Sequence, residues 1–261
     1  MRIDTHAHLH PAHDPSLWLD TAWSTLVQPA PNRRGMVWLF AINQADPTAG
    51  LEAMDDQRWS IEPRPEGPCL RVTRRGDATG AELTVVPGQQ VATREGLEVL
   101  ALAPAGSAIA SRQPLTETVE QALETAALVV LPWGVGKWLG RRGEGIREAI
   151  DRYGERIALG DNANRPAAWR RPRLLNHGET KAMAVLPGSD PLPLPGHETR
   201  VGSFGLQLDA TIGEHTPLED VLNLLRRREA VRDTFGGPCP TLRAVIDQVR
   251  LRITPPAGPS P

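Results

Sequence analysis

The sequence predicts an α/β fold of the TIM-like β/α-barrel kind, and three observations carry that expectation. Short apolar runs alternate with amphipathic stretches of helical period, the pattern of βαβ units around a mainly parallel sheet. Polar clusters stand where several runs end: "DTHAH", "PGQQ", "LPWG", "LGDN" and "PGSD". Barrel active sites are built from such C-terminal strand ends. No G-x-G-x-x-G fingerprint follows the first run, so the dinucleotide-binding alternative has no support.

The elements follow in chain order. "MRIDTHA" reads as a short strand. "DPSLWLDTAWSTLVQ" has helical apolar spacing behind Asp14, a good N-cap. "GMVWLFAI" (35–42) is continuously apolar, as a strand buried on both faces should be. "DPTAGLEAMDD" reads as a second capped helix. An inserted β-rich segment is expected around 59–103, its strands split by "EG", "GDATG" and "REG" turns. Alternation then resumes with helix "TETVEQALETA", strand "ALVVLPWG", helix "RRGEGIREAIDRYG" and strands "RIALGD" and "AVLPGSD". Two amphipathic helices are expected at 217–234 and 240–250. Residues 1–254 read as one domain and 255–261 as a disordered tail.

Bulk properties narrow the function classes. The chain has 261 residues, 40% hydrophobic and 23% charged, as soluble globular proteins do. With a net charge of −2 and a pI near 6.4, no global positive field argues for nucleic acid or an anionic membrane. No apolar run reaches the length of a membrane span, and the start lacks the apolar core of a secretory signal. Cys69 and Cys239 have neither zinc-ribbon spacing nor disulfide-scaffold density, so both read as reduced thiols and the expected location is cytoplasmic.

The chemistry is concentrated in "MRIDTHAHLH", which holds three of the seven histidines on alternate positions. Strand side chains alternate, so His6 and His8 should share a side, with Asp4 expected beside them. Neutral imidazole is the commonest protein metal ligand, and a pair on one strand end converges without a loop-closure cost. The alternative is a pair of polar residues on a short strand.

"RIDTHAHLHP" resembles the opening motif of barrel-fold metal-dependent hydrolases: the amidohydrolase type, the TatD-like nucleases, and the polymerase-and-histidinol-phosphatase (PHP) family. "VVPGQQVATREGLEVLALA" is similar to the PHP strand–turn–strand unit in which a Glu bridges metals; here that position is Gln90, a neutral and weaker donor. "VLPGSDPLPLPG" resembles the closing motif, and Asp190 matches its Asp. Leu192 stands where a further His is usual, and Leu131 takes the His position of the middle motif. The resemblance spans roughly residues 1–205 and leaves PHP, amidohydrolase and TatD-like membership open. It implies a TIM-like barrel, a distorted seven-stranded version included. It also implies a divalent cation (Zn, Mn, Fe or Mg) on His6, His8 and Asp190, with Gln90 as a further ligand. Asp190 is then the catalytic residue, either as ligand or as general base.

Other strand-end groups are expected to meet substrate. Lys137, between glycines and tryptophans, suits a phosphate or carboxylate, with a solvated surface lysine as the alternative. Asp161 and Asn162 end a strand, where Asp161 is either a ligand or a turn cap. His197 and Arg200 follow Asp190 and suit the rim of a site for a small anionic substrate. His10 and His13 read as turn residues, His177 and His215 as surface residues. Trp18, Trp23 and Trp38 read as core. The function expected is metal-dependent hydrolysis, of a phosphoester first, with C–N or other ester bonds as variants. A catalytically degenerate binding protein and a TatD-like nuclease are the alternatives.

Overall fold

The computed structural model describes residues 1–42, 46–65, 67–106, 108–208, 217–226 and 233–253. In order, the strands and helices are β1 (Arg2–Ala7), α1 (Pro15–Ala22), β2 (Arg34–Ile42), α2 (Ala49–Glu52), β3 (Trp59–Pro63), β4 (Leu70–Arg74) and β5 (Glu82–Ala92). There follow β6 (Glu98–Leu102), α3 (Leu115–Thr125), β7 (Leu128–Pro132), α4 (Gly140–Tyr153), β8 (Ala158–Asn162) and α5 (Arg173–Thr180). The series ends with β9 (Val185–Gly188), β10 (Phe204–Gln207), α6 (Pro217–Arg226), β11 (Thr234–Gly236) and α7 (Thr241–Ile253).

Strand β2 shows why its sequence is apolar throughout. Met36, Trp38 and Phe40 enter one core with Val86, Leu100 and Leu186. Val37 and Leu39 enter another beneath Trp18 and Leu26 of the first helical segment. Alternation here is between two apolar layers rather than core and solvent. Each fully buried side chain of this size contributes about 2 kcal/mol of transfer free energy. The third apolar cluster joins the outer faces of β6–β8 to α3, α4 and α5 through Val129, Leu131, Val119, Ile150 and Leu175. Trp18, Trp23 and Trp38 are core residues, as their spacing predicts.

One sheet runs β11-β10-β1-β2-β5-β6-β7-β8-β9, with the β3–β4 hairpin attached to β5. The sheet curls until β9 returns to β1, giving a nearly closed, barrel-like wall of nine strands. There the Thr5 hydroxyl donates to the Pro187 carbonyl at 2.9 Å and the Asp190 N–H to the His6 carbonyl at 2.7 Å. The pairs β1–β2, β2–β5, β7–β8 and β8–β9 are parallel. The pairs β1–β10, β10–β11, β5–β6 and β6–β7 are antiparallel, so the sheet is mixed rather than mainly parallel.

The reason lies in the turn after β5. Thr93–Gly96 closes it tightly, with Thr93 donating to the Leu97 carbonyl at 2.9 Å, and so short a link forces antiparallel strands. The β-rich segment is therefore not an insertion as a whole. β5 and β6 are members of the main wall, and only β3 and β4 stand outside it.

Asp14 caps α1 as expected, accepting from Ser16 N at 2.8 Å and Leu17 N at 3.2 Å. The second expected helix shrinks to the single turn of α2. Helix α5 and strands β10 and β11 carry no clear sequence signal. The helix expected over 217–234 does not reach its predicted end, because Thr234 already belongs to β11. The expected tail at 255–261 and His215 lie outside the described residues. No described helix is long and apolar enough to cross a membrane, and both cysteines are buried.

Candidate metal centre

Strand β1 does not keep a simple alternation. Asp4 pairs with Val37 but Ala7 with Leu39, so β1 spends one extra residue over the same length of β2. Ile3 lies in the barrel interior while Ala7 lies in the outer layer, which shows the change of side. A bulge of this kind re-aims side chains. It turns His6 inward, where its ring stands edge-on to Phe40. Asp4, expected beside the histidines, stays with the outer set and does a different job.

The buried Asp4 carboxylate accepts from the backbone N–H groups of His6 (3.1 Å), Ser189 (2.9 Å) and Gly202 (2.8 Å), and from the Ser189 hydroxyl. It thus ties β1 to the end of β9 and to the approach to β10. Burial pushes its pKa up to about 6 against those hydrogen bonds, which favour the charged form. Gly188 makes the same seam possible. A Cβ there would stand 2.4 Å from the His6 Cβ and 2.6 Å from its backbone nitrogen.

Across this seam three donor atoms converge. His6 Nε2 and His8 Nε2 are 3.0 Å apart, and Asp190 Oδ1 lies 3.7 Å from the first and 3.6 Å from the second. In a tetrahedral site with bonds of about 2.1 Å, neighbouring donors stand roughly 3.4 Å apart, so the triangle fits one cation. These three residues form the one candidate group of metal-ligating side chains among the described residues. Gln90 Oε1 lies 3.3 Å from His6 Nε2, which sets a neutral amide oxygen beside the three donors.

Each donor is oriented by a second contact. His8 Nδ1 is 2.6 Å from the Phe40 carbonyl, which can only accept, so Nδ1 carries the proton and Nε2 presents a lone pair. Burial, with the adjacent His6 charge, lowers the His8 pKa to about 3 and keeps the ring neutral. Asp190 has a left-handed backbone, φ 45°, a conformation that costs free energy in a non-glycine residue. Asn164 Nδ2 holds its carbonyl at 2.6 Å and Asn162 Nδ2 holds Oδ2 at 3.0 Å, leaving Oδ1 for the cluster. For the Asp190 carboxyl, burial pushes upward, but the neighbouring histidines, His6 foremost, together with the Asn164 hydrogen bond and the Lys137 charge outweigh it, and the net shift is downward.

The donors open into a pocket of about 260 Å³ lined by His8, His10, Gln90, Trp133, Asn162, Asn164 and Asp190, with Gln248 and Leu251 of α7 also on its wall. His10, expected to be a turn residue, is on that wall; its Nε2 donates to the Pro191 carbonyl at 3.0 Å. Burial, with His13 beside it, lowers its pKa to about 4. Asn164, Trp133 and the α7 residues were not singled out by sequence. The alternation Asn162-x-Asn164 at a strand end was a usable signal, whereas nothing local marks Gln248 or Leu251.

The remaining expectations divide. Lys137 lines the pocket, but its ammonium is ion-paired with Glu98 rather than standing open. Asn162 meets Asp190 rather than presenting its amide to substrate alone. Asp161 is not a ligand: it holds Arg165 through two hydrogen bonds of 2.9 and 2.8 Å and lines a separate cavity. His197 and Arg200 are not on the rim. A short 3-10 turn at His197–Arg200 carries His197 into the interior, where Nδ1 accepts from Leu192 N at 3.2 Å, and Arg200 pairs with Asp247 of α7 at 2.9 Å. Both brace the loop behind Asp190. Leu131 faces the outer core and Leu192 only lines the pocket. His177 is a surface group paired with Asp151.

No protein-family model and no curated protein matches this chain. Among solved structures it is similar to the crystal structure of PsfC from Pseudomonas syringae PB-5123, at 14% sequence identity over 97% of this chain and 98% of that one, with a TM-score of 0.49.

Proposed function

We propose that this chain is a hydrolase of small anionic substrates that works with a single divalent cation held by His6, His8 and Asp190. The observation that carries the reading is the convergence of their donor atoms within 3.0–3.7 Å, with the His8 lone pair fixed toward the cluster by the Phe40 carbonyl. Two imidazoles and one carboxylate suit Zn, Mn or Fe better than Mg, which prefers an all-oxygen shell. Three protein donors plus a weak amide oxygen leave the coordination open, as catalytic sites require. The strand-end position of the donors on a barrel-like wall supports kinship with the TIM-like metal-dependent hydrolases.

A cation held there supplies Lewis acidity toward a phosphoryl or carbonyl oxygen and makes water a nucleophile near neutral pH. The chain's own residues do the rest. Asn162 and Asn164 keep Asp190 in its uncommon backbone conformation. The pocket wall selects for size. Lys137 is the one Lys or Arg among the described residues lining the pocket, and its pairing with Glu98 leaves it able to shift toward a substrate oxyanion. A phosphoester fits this arrangement best.

The test is metal analysis of protein purified without chelators, beside His6→Ala and Asp190→Asn, followed by a phosphoesterase screen with Mn and Zn. About one equivalent of metal, lost in both variants, and turnover abolished by His8→Ala are expected. Wild-type protein that binds no stoichiometric metal after reconstitution overturns the reading. A degenerate, ligand-binding role is favoured by Leu131 and Leu192 at positions where related enzymes carry histidines. It predicts metal without turnover. A nuclease role predicts degradation of single-stranded DNA with Mg or Mn, an outcome the small pocket argues against.

A further inference from the structure

Beside the metal pocket, and sharing Trp133 and Gly134 with it, lies a second concavity of about 490 Å³ between α4 and α5. Its walls are unusually aromatic: Trp133 and Trp169 meet edge to face at 6.4 Å between ring centroids, and Trp138 lies beside them. Trp169 is 49% exposed, a large apolar surface left to water at the lip. The buried Trp138 indole N–H has no hydrogen-bond partner.

Charge points the same way. Arg147, Arg170 and Arg173 line this groove, are exposed, and take no hydrogen bond or ion pair from any described residue. Against them stands one carboxylate, Glu144. Three such guanidinium groups facing a single carboxylate on one largely apolar groove make a local excess of positive charge in a chain of net charge −2. The N-termini of α4 and α5, neither with a side-chain cap, border the groove at Gly140 and Arg173 and add positive potential.

We propose that this groove is the second half of the substrate site and that it takes a small aryl oxyanion. A flat ring lies against Trp169 and Trp133, and a phosphate or carboxylate sits among Arg147, Arg170 and Arg173. The guanidinium fork matches such planar or tetrahedral oxyanions, and aromatic faces hold both the ring and the cations beside it. The occupant is a small molecule because the groove holds about 490 Å³ and the adjacent pocket, walled by residues of α7 and by Glu98 and Lys137, about 260 Å³. This deepens the hydrolase reading, on which it rests only for placing the reacting bond in the metal pocket.

Calorimetric titration of the full chain, treated with chelator, reads the groove without the metal. The probes are 2-naphthyl phosphate, 2-naphthoate, 2-naphthol, inorganic phosphate and a thymidine 15-mer. One-to-one binding of naphthyl phosphate or naphthoate is expected, the tighter of the two identifying the oxyanion. Binding should weaken at least tenfold in the triple variant Arg147→Ala, Arg170→Ala, Arg173→Ala and in Trp169→Ala, and stay unchanged in His8→Ala. All four groove positions are exposed, and an unchanged melting temperature confirms that the variants fold. Naphthol or inorganic phosphate binding as tightly as the aryl anions overturns the proposal. So do a tighter oligonucleotide, no binding at millimolar probe, or loss in His8→Ala with none in the arginine variant. Failure of the hydrolase reading appears separately, as absence of metal in untreated protein.

Discussion

The backbone N–H of Asp190 donates to the carbonyl of His6 at 2.7 Å, so the last donor of the proposed metal site is fastened to the first by the main chain itself. Side-chain chemistry can therefore be altered at Asp190 without opening the seam. Asp190→Asn keeps this bond and tolerates the left-handed backbone. Metal affinity should fall roughly 100-fold or more while the melting temperature moves by no more than about 3 °C. Metal titration and thermal denaturation of the same sample check both halves.

Gly188→Ala should do the reverse and damage the fold first. The new methyl would meet His6 at its Cβ and backbone nitrogen, neither of which can move without disturbing β1. Overpacking of this kind costs about 3 kcal/mol. Urea denaturation should show that loss, and metal binding should fall with it because the seam carries the donors.

Asn162 touches no proposed cation, yet it holds Asp190 Oδ2 at 3.0 Å and the Trp133 carbonyl at 2.7 Å. Asn162→Ala frees the carboxylate to rotate. Metal affinity should drop about 10- to 100-fold, the usual effect of losing an orienting contact. A KM raised together with the metal constant would also report the slackened Trp133 wall.

Acid should weaken the packing of α7. Burial, with the Arg200 charge beside it, lowers the His197 pKa to about 4, despite Asp247 at 3.3 Å. A histidine depressed in the folded state takes up its proton more readily when unfolded. Its contribution to stability is full above the unfolded value near 6.5 and is lost as pH falls toward 4, by roughly 3 kcal/mol. His197→Asn retains an acceptor for the Leu192 N–H and should flatten that part of the curve of stability against pH. An unchanged curve would assign the acid lability to other groups.

Much of this was legible because it depends on local pattern. The 35–42 run announced a strand covered on both faces, and Asp14 announced a helix start. His6 and His8 were legible as an alternating pair at a strand end, and Asp190 through the resemblance of "VLPGSD" to a closing metal motif. What escaped depends on partners. The β1 bulge exists only against β2, so sequence alternation placed Asp4 with the histidines when it belongs to the seam. Strand direction is set by turn length, and the tight turn at Thr93–Gly96 reversed β6 within a segment read as an insertion. Nearness in sequence misled at His197 and Arg200, since one short 3-10 turn carries them from Asp190 to α7. Lys137 does line the pocket, but its partner Glu98, on another strand, left no sequence signal.

The seam between β1 and β9 also sets an order of events during synthesis. His6 and His8 leave the ribosome long before Ser189 and Asp190 exist, and until then the proposed cation would have only a two-toothed grip. If the proposed site holds a metal, tight metallation waits on the stretch around Gly188, and a nascent chain stalled short of it should exchange that metal freely with the surrounding pool.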